Sequence, residues 1–136
     1  MYSLIGAWEL LSSKTYEGER SWTVFGDPPA GQLQYTDDHR MSGFLMDPQW
    51  AARGKTEADG LTEFFSYAGT WSVDGDLVHH HVQLASHPKR IGTEFYRRAK
   101  FNGPDDLELT TIPEESKSGK TYQTVLRWRR VASTDA

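Results

Sequence analysis

The stretch "GTWSVDGDLVHHHVQLA", residues 69–85, decides the fold class. Two runs rich in β-branched and aromatic residues flank an Asp-Gly pair at 74–75, which is a strong signal for a tight β-hairpin. Successive side chains of a strand point to opposite faces, so His79 and His81 share one face and His80 takes the other. Whether the histidines form a metal site, a catalytic base or a solvated surface therefore depends on which face lies inside.

The same strand pattern recurs on both sides of this hairpin. Short alternating segments are separated by Gly, Asp, Asn or Pro, as in an all-β protein. These segments are 6–16, 32–36, 40–46, 92–101, 106–112 and 120–131. Eight to nine antiparallel strands joined in sequence order predict a closed up-and-down β-barrel, because closure removes exposed sheet edges. A barrel of this size can hold packed side chains or one small ligand.

One segment, residues 55–69, departs from the strand pattern. Thr56 can cap a helix, and Leu61, Phe64 and Phe65 recur at helical spacing. The pattern predicts one short helix over 55–68, between two halves of the barrel. A helix in this position would plug or cover one end of the barrel.

Composition limits the kind of protein this can be. The chain has 136 residues, of which 37% are hydrophobic, so we expect one domain over 1–131 with a tail at 132–136. The net charge of -4 and the lack of a clustered basic face outside the last strand argue against nucleic-acid binding. The absence of cysteine excludes a thiolate nucleophile. The N-terminus lacks a signal-peptide pattern, so a cytoplasmic location is the default expectation, and no apolar run suggests a membrane span.

Strand alternation predicts which side chains point into the barrel. On the histidine strand the mostly apolar set contains His80, which should therefore face inward, while His79 and His81 face outward. On 92–101, Arg97 is the one charged residue on the apolar face. The full inward set is predicted as Leu33, Tyr35, Trp71, Val73, Val78, His80, Val82, Leu84, Phe95, Arg97, Ala99, Phe101, Leu109, Thr111, Tyr122, Thr124, Leu126 and Trp128.

The ordered motifs resemble those of a known family. "LIGAWELLS" at 4–12, "GQLQYTDDHRMSG" at 31–43, "YAGTWSVDGDLVHHHV" at 67–82 and "LRWRR" at 126–130 together resemble the bacterial lipocalin-like domain family. The resemblance covers nearly the whole chain and implies a short single-domain barrel. Related small barrels include carriers of apolar ligands as well as cyclases and isomerases of natural-product pathways, so the fold does not choose the function.

The resemblance also implies roles for individual residues. Trp8 takes the place of the family tryptophan under the barrel, and Arg130 would lie across it as a cation–π partner. Matches to family positions are also found at Tyr35, Arg40, Met41, Ser42, His80, His81 and Arg97. The sequence departs from the family pattern at His79 and in the 84–92 connection, which carries His87 and the basic pair Lys89–Arg90.

An apolar lumen with a few polar groups is typical of a small-molecule site. His80 is a candidate general base, kept neutral by burial beside Arg97, and Arg97 with Tyr35 could hold a developing oxyanion. This set suits isomerisation, cyclisation or elimination on a small hydrophobic, oxygen-bearing molecule without a cofactor. We favour this catalytic hypothesis over the alternatives below. Residues predicted to contact the ligand are Met41, Phe65, Trp71, Phe95, Thr111, Tyr122, Leu126 and Trp128.

Three alternatives stay open at this point. The protein could be a carrier that binds the same ligand unchanged, with Trp50 and the 55–68 helix covering the entrance. His80 and Arg97 could instead form a satisfied polar network that braces the barrel. His79 and His81 could chelate a metal, but their outward parity argues against it, so no metal is predicted. We expect a small hydrophobic ligand as the partner, with no nucleic acid and no membrane, and the sequence leaves a homodimer open.

Overall fold

The computed structural model describes residues 1–54 and 63–132, and these form one antiparallel sheet that closes on itself. Its strands are β1 (Gly6–Glu17), β2 (Arg20–Thr23), β3 (Ala30–Tyr35), β4 (Arg40–Met46), β5 (Phe64–Asp74), β6 (Leu77–Ala85), β7 (Glu94–Phe101), β8 (Asp106–Thr111), β9 (Glu114–Glu115) and β10 (Thr121–Arg130). A short helix, α1 (Pro48–Ala52), follows β4, and Pro88–Arg90 form one 3₁₀ turn.

Closure is made by β1, which pairs with β3 on one side and with β10 on the other. Eight strands thus form a closed barrel in sequence order, with β2 and β9 as short additional strands at its rim. The predicted closed antiparallel barrel with one short helix is confirmed. The part of the chain that the structure describes contains no helix long and apolar enough to cross a membrane.

One end of the barrel is closed by packed side chains. Trp8 and Leu107 have no exposed surface there, and the indole of Trp8 donates a hydrogen bond to the carbonyl of Leu4 at 2.9 Å. The guanidinium of Arg130 lies 4.3 Å from the centre of the Trp8 ring. The Trp8–Arg130 pair implied by the family resemblance is therefore confirmed.

The helix lies elsewhere than the sequence pattern predicts. Of the predicted 55–68 helix, residues 55–62 lie outside the described residues, and Phe64 and Phe65 begin β5 instead. In this strand the period-two pattern prevails, because Phe65 pairs with Leu45 of β4 and packs into the barrel. The observed helix α1 begins after Asp47, whose carboxylate accepts a hydrogen bond from the backbone N–H of Gln49.

A β-bulge corrects the inward assignment of Leu84, which is 67% exposed. Gly69 pairs with Val82 and the preceding Ala68 pairs with Leu84, so Gln83 of β6 has no partner on β5. Beyond this extra residue the inward and outward positions of β6 are exchanged, and Leu84 points outward. A Cβ atom on Gly69 would lie 1.8 Å from the carbonyl oxygen of His81, so only glycine fits at this bulge.

Candidate functional site

The barrel contains a cavity of about 570 Å³ that opens at the end opposite to Trp8. Its volume lies within the range of small-molecule sites. The connections 17–30, 86–93 and 112–120 surround its mouth. Most of its wall is apolar or aromatic and includes Leu33, Leu45, Phe65, Phe95, Leu126 and Trp128.

The structure brings most of the predicted site residues to this cavity. Those that line it are Phe65, His80, Phe95, Arg97, Thr111, Tyr122, Leu126 and Trp128. Tyr35 stands behind the wall, 2% exposed, and reaches the site through His80. The structure shows that these residues line the cavity, while their binding and catalytic roles remain predictions.

Two predicted ligand contacts, Met41 and Trp71, lie away from the cavity wall. Met41 is buried in the core toward the closed end. Trp71 packs its ring against that of Tyr35 at 5.0 Å and donates from its indole nitrogen to the carbonyl of Thr36 at 3.0 Å. Both residues share the inward parity, but they lie too near the closed end to reach the open space.

His80 is held between two tyrosines. Its Nε2 lies 2.6 Å from the hydroxyl of Tyr35 on β3, and its Nδ1 lies 2.8 Å from the hydroxyl of Tyr67 on β5. Tyr67 lines the cavity, with its ring 5.1 Å from Phe95 and 5.2 Å from Phe65. Tyr67 is not among the predicted site residues, because the helix predicted over 55–68 concealed the strand alternation of Phe65, Tyr67, Gly69 and Trp71.

Burial and charge set the protonation of this group. Burial is the main cause that lowers the pKa of His80 to about 3. The positive charge of Arg97 and the nearby His79 lower this pKa further. Burial raises the pKa of Tyr67 and of Tyr35 above the usual tyrosine range, partly opposed by Arg97. At neutral pH the three side chains are therefore uncharged beside a cation. The predicted direction for His80 is confirmed, but the pKa is too low for a strong general base near neutrality.

Arg97 lies in the cavity wall, where only part of its hydrogen-bonding capacity is used by the protein. Its guanidinium lies 5.0 Å from the centre of the Phe95 ring and donates to the carbonyl of Tyr96 at 2.9 Å. In residues 1–54 and 63–132 no carboxylate forms an ion pair with it. A guanidinium has five N–H donors, so most of them are left for water or a ligand.

Two of the predicted polar residues nearer the mouth, Tyr122 and Thr111, are bound to protein partners. The hydroxyl of Tyr122 donates to Glu114 at 2.6 Å, and this hydrogen bond is the main reason that the pKa of Tyr122 is raised. The hydroxyl of Thr111 accepts a hydrogen bond from the backbone N–H of Thr124 at 2.9 Å. Among the predicted polar residues, Arg97 therefore offers the most hydrogen-bonding capacity to a ligand.

The other two histidines of the strand lie on the outer surface. His79 and His81 both bind the carboxylate of Glu94 on β7, and the His79 ring stacks on Tyr96 at 4.8 Å. These hydrogen bonds lower the pKa of Glu94, and the bond from His81 has the larger effect. Across the described part of the chain no three such side chains are arranged to hold a metal ion.

Comparisons with known proteins agree with this architecture. The model of a family described as "lipocalin-like domain" matches residues 5–131. A lipocalin-like protein from Bacteroides uniformis has a similar structure, with a TM-score of 0.51, 12% identity and coverage of 94% of this chain and 98% of that one. A redesigned β-barrel is more distant, with a TM-score of 0.44, 11% identity and coverage of 95% and 92%. No curated protein matches the sequence.

Proposed function

The chain belongs to the lipocalin-like domain family, and from this premise we propose that it binds a small, largely apolar molecule with an oxygen atom placed against Arg97. The observation that carries this proposal is a guanidinium in the wall of an apolar cavity, with no carboxylate partner among the described residues. A partly buried cation without a counter-ion is costly unless water or a ligand satisfies it.

The rest of the cavity supports an apolar body for this ligand. Phe65, Phe95, Leu126 and Trp128 remove hydrophobic surface of a bound molecule from water, which is the main source of affinity in such sites. A ring system or a short aliphatic chain fits the volume of about 570 Å³. A carboxylate, phenolate, enolate or carbonyl oxygen would accept hydrogen bonds from Arg97.

The experiment that tests this proposal is calorimetric titration with 2-naphthoate, and with decanoate as an aliphatic equivalent. We expect saturable binding of at least one of them. The Arg97→Met variant should weaken it by roughly 10- to 100-fold, because a hydrogen bond to a charged group contributes about 1.5–3 kcal/mol.

The matched control is Arg98→Met. Arg98 is the next residue of the strand, points outward and is paired with Asp76 at 2.8 Å. Its replacement should leave the affinity unchanged. No binding of either carboxylate, or equal losses in the two variants, would refute the proposal.

A second candidate is cofactor-free acid/base catalysis in the same cavity, favoured by the hydrogen-bonded chain from Tyr35 through His80 to Tyr67. Such a chain can relay a proton to or from a substrate oxygen during an isomerisation, cyclisation or elimination. Because both nitrogens of His80 are engaged and its pKa is about 3, the site supports binding better than proton abstraction by His80 itself.

Hydrogen–deuterium exchange separates the two functions. With 2-tetralone, an enolisable ketone, a catalytic site should accelerate exchange of the α-hydrogens in D₂O, and His80→Gln and Arg97→Met should abolish the acceleration while the fold persists. A carrier should return the ketone without accelerated exchange.

A further inference from the structure

The two hydrogen bonds of His80 differ in their surroundings, and this difference fixes their direction. A neutral imidazole has one N–H donor and one acceptor nitrogen, and the partners of the ring decide which nitrogen carries the proton. Here both nitrogens face tyrosine hydroxyls, each of which can donate or accept. The low pKa of His80 means that the neutral ring is the form present at neutral pH.

The Tyr35 hydroxyl has only one way to use its hydrogen. Tyr35 is 2% exposed, is not part of the cavity wall, and within the described residues hydrogen-bonds through its hydroxyl to His80 alone. If Nε2 carried the proton, the hydroxyl of Tyr35 would accept it and its own hydrogen would be buried without a partner, which is costly. Tyr35 therefore donates to Nε2 of His80.

The proton of the imidazole must then lie on Nδ1, which donates to the oxygen of Tyr67. Tyr67 uses this oxygen as the acceptor, so its own O–H is left to donate elsewhere. Unlike Tyr35, Tyr67 lines the cavity and is only partly buried. Its hydroxyl hydrogen can therefore reach water or a ligand in the cavity.

We propose that Tyr67 is a specificity-determining residue, whose hydroxyl donates to the ligand because the chain from Tyr35 through His80 to Tyr67 runs in one direction. With the N–H groups of Arg97 it makes the polar end of the cavity rich in donors. That end selects a carbonyl or a deprotonated oxygen, which can only accept, over a hydroxyl or amine, whose own hydrogen also needs an acceptor. This inference rests on the proposed function for its ligand and on the buried network for its direction.

The direction of the network is tested without any ligand. Long-range ¹H–¹⁵N NMR of the full chain distinguishes the two ring nitrogens, with the His80 signals identified by their loss in His80→Gln. We expect a protonated, pyrrole-like Nδ1 and an unprotonated, pyridine-like Nε2. The opposite tautomer would overturn the proposal, whatever the protein binds.

The selectivity is tested with 2-acetonaphthone and 2-ethylnaphthalene, which are similar in shape and differ in the accepting carbonyl. Wild-type protein should prefer the ketone, and Tyr67→Phe should reduce this preference about tenfold, equivalent to about 1.4 kcal/mol. Tyr96→Phe is the control, because Tyr96 lies on the outer face of β7. An unchanged preference in Tyr67→Phe would overturn the role of Tyr67.

The failure of each idea has its own signature. If 2-acetonaphthone, 2-ethylnaphthalene and both carboxylates all fail to bind, the proposed function fails, and the role of Tyr67 in selecting a ligand fails with it. If they bind with the expected dependence on Arg97 but without dependence on Tyr67, the proposed function stands and only this inference is lost.

Discussion

Two arginines at opposite ends of the barrel show how one fold separates stability from binding. Arg130 closes the bottom, where it donates to the carbonyls of Ser3 at 2.6 Å and Ile5 at 2.7 Å and lies over Trp8. Arg97 lies in the cavity wall, where within residues 1–54 and 63–132 its guanidinium donates to one carbonyl and lies near one aromatic ring. A guanidinium whose donors are satisfied by the chain stabilises that chain, whereas one with unused donors is available to a ligand.

The largest expected effect concerns the closed end itself. Trp8→Ala should lower the free energy of unfolding by about 3–5 kcal/mol, because it leaves a cavity in a fully buried site. Trp22→Ala is the comparison at the open end, where the side chain is 39% exposed, and should cost less than about 1 kcal/mol. Urea denaturation measures both. Equal losses would mean that the two ends contribute alike to stability.

A second prediction compares the arginines directly. Arg130→Met should cost about 2–3 kcal/mol in urea denaturation, because the carbonyls of Ser3, Ile5 and Pro104 each lose a donor and each such loss costs about 1 kcal/mol. Arg97→Met should change stability by less than about 1 kcal/mol, since it removes one hydrogen bond and relieves an unpaired charge. Greater destabilisation by Arg97→Met would favour the view that Arg97 braces the barrel.

A third prediction uses pH to examine the buried histidine. The pKa of His80 falls from 6.5 to about 3 on folding, so in that interval the unfolded chain binds a proton that the folded chain does not. The contribution of His80 to the free energy of unfolding is therefore fully present above about pH 6.5. Between pH 6.5 and about 3 it should decrease by up to about 1.4 kcal/mol for each pH unit.

The interval between pH 6.5 and 5 tests this slope, since carboxylates titrate mainly below it. His80→Gln should flatten the pH dependence of the unfolding free energy there. His81→Gln, a change on the outer face, should leave the slope of the buried site in place. A slope that is the same in both variants would contradict the buried, neutral state of His80.

The smallest expected effect belongs to the outer face of the same strand. Glu94→Gln removes the charge that binds His79 and His81, but Glu94 is exposed and both histidines are partly exposed, and ion pairs at such surfaces contribute little. The urea midpoint at neutral pH should remain essentially unchanged. A large drop would show that this cluster, rather than the inner network, holds β6 to β7.

Much of the fold could be predicted because its signals are local. The Asp-Gly turn and the alternation of Val78, His80 and Val82 predict a hairpin with His80 inside, and the structure has both. The same logic fails at Leu84, since the bulge opposite Gly69 depends on how two strands pair and not on either strand alone. It also fails at Phe64 and Phe65, whose spacing fits a helix until pairing with β4 is known.

The candidate site divides in the same way. By alternation alone the sequence determined that His80 and Arg97 face the lumen, because strand parity is a property of neighbouring residues. Only the tertiary structure decided that Tyr35 and Tyr67, 45 and 13 residues away from His80, meet its two ring nitrogens. It also decided that Met41 and Trp71 lie below the cavity. Parity selects a face, whereas depth along the barrel and partners across it follow from the register in which the strands close.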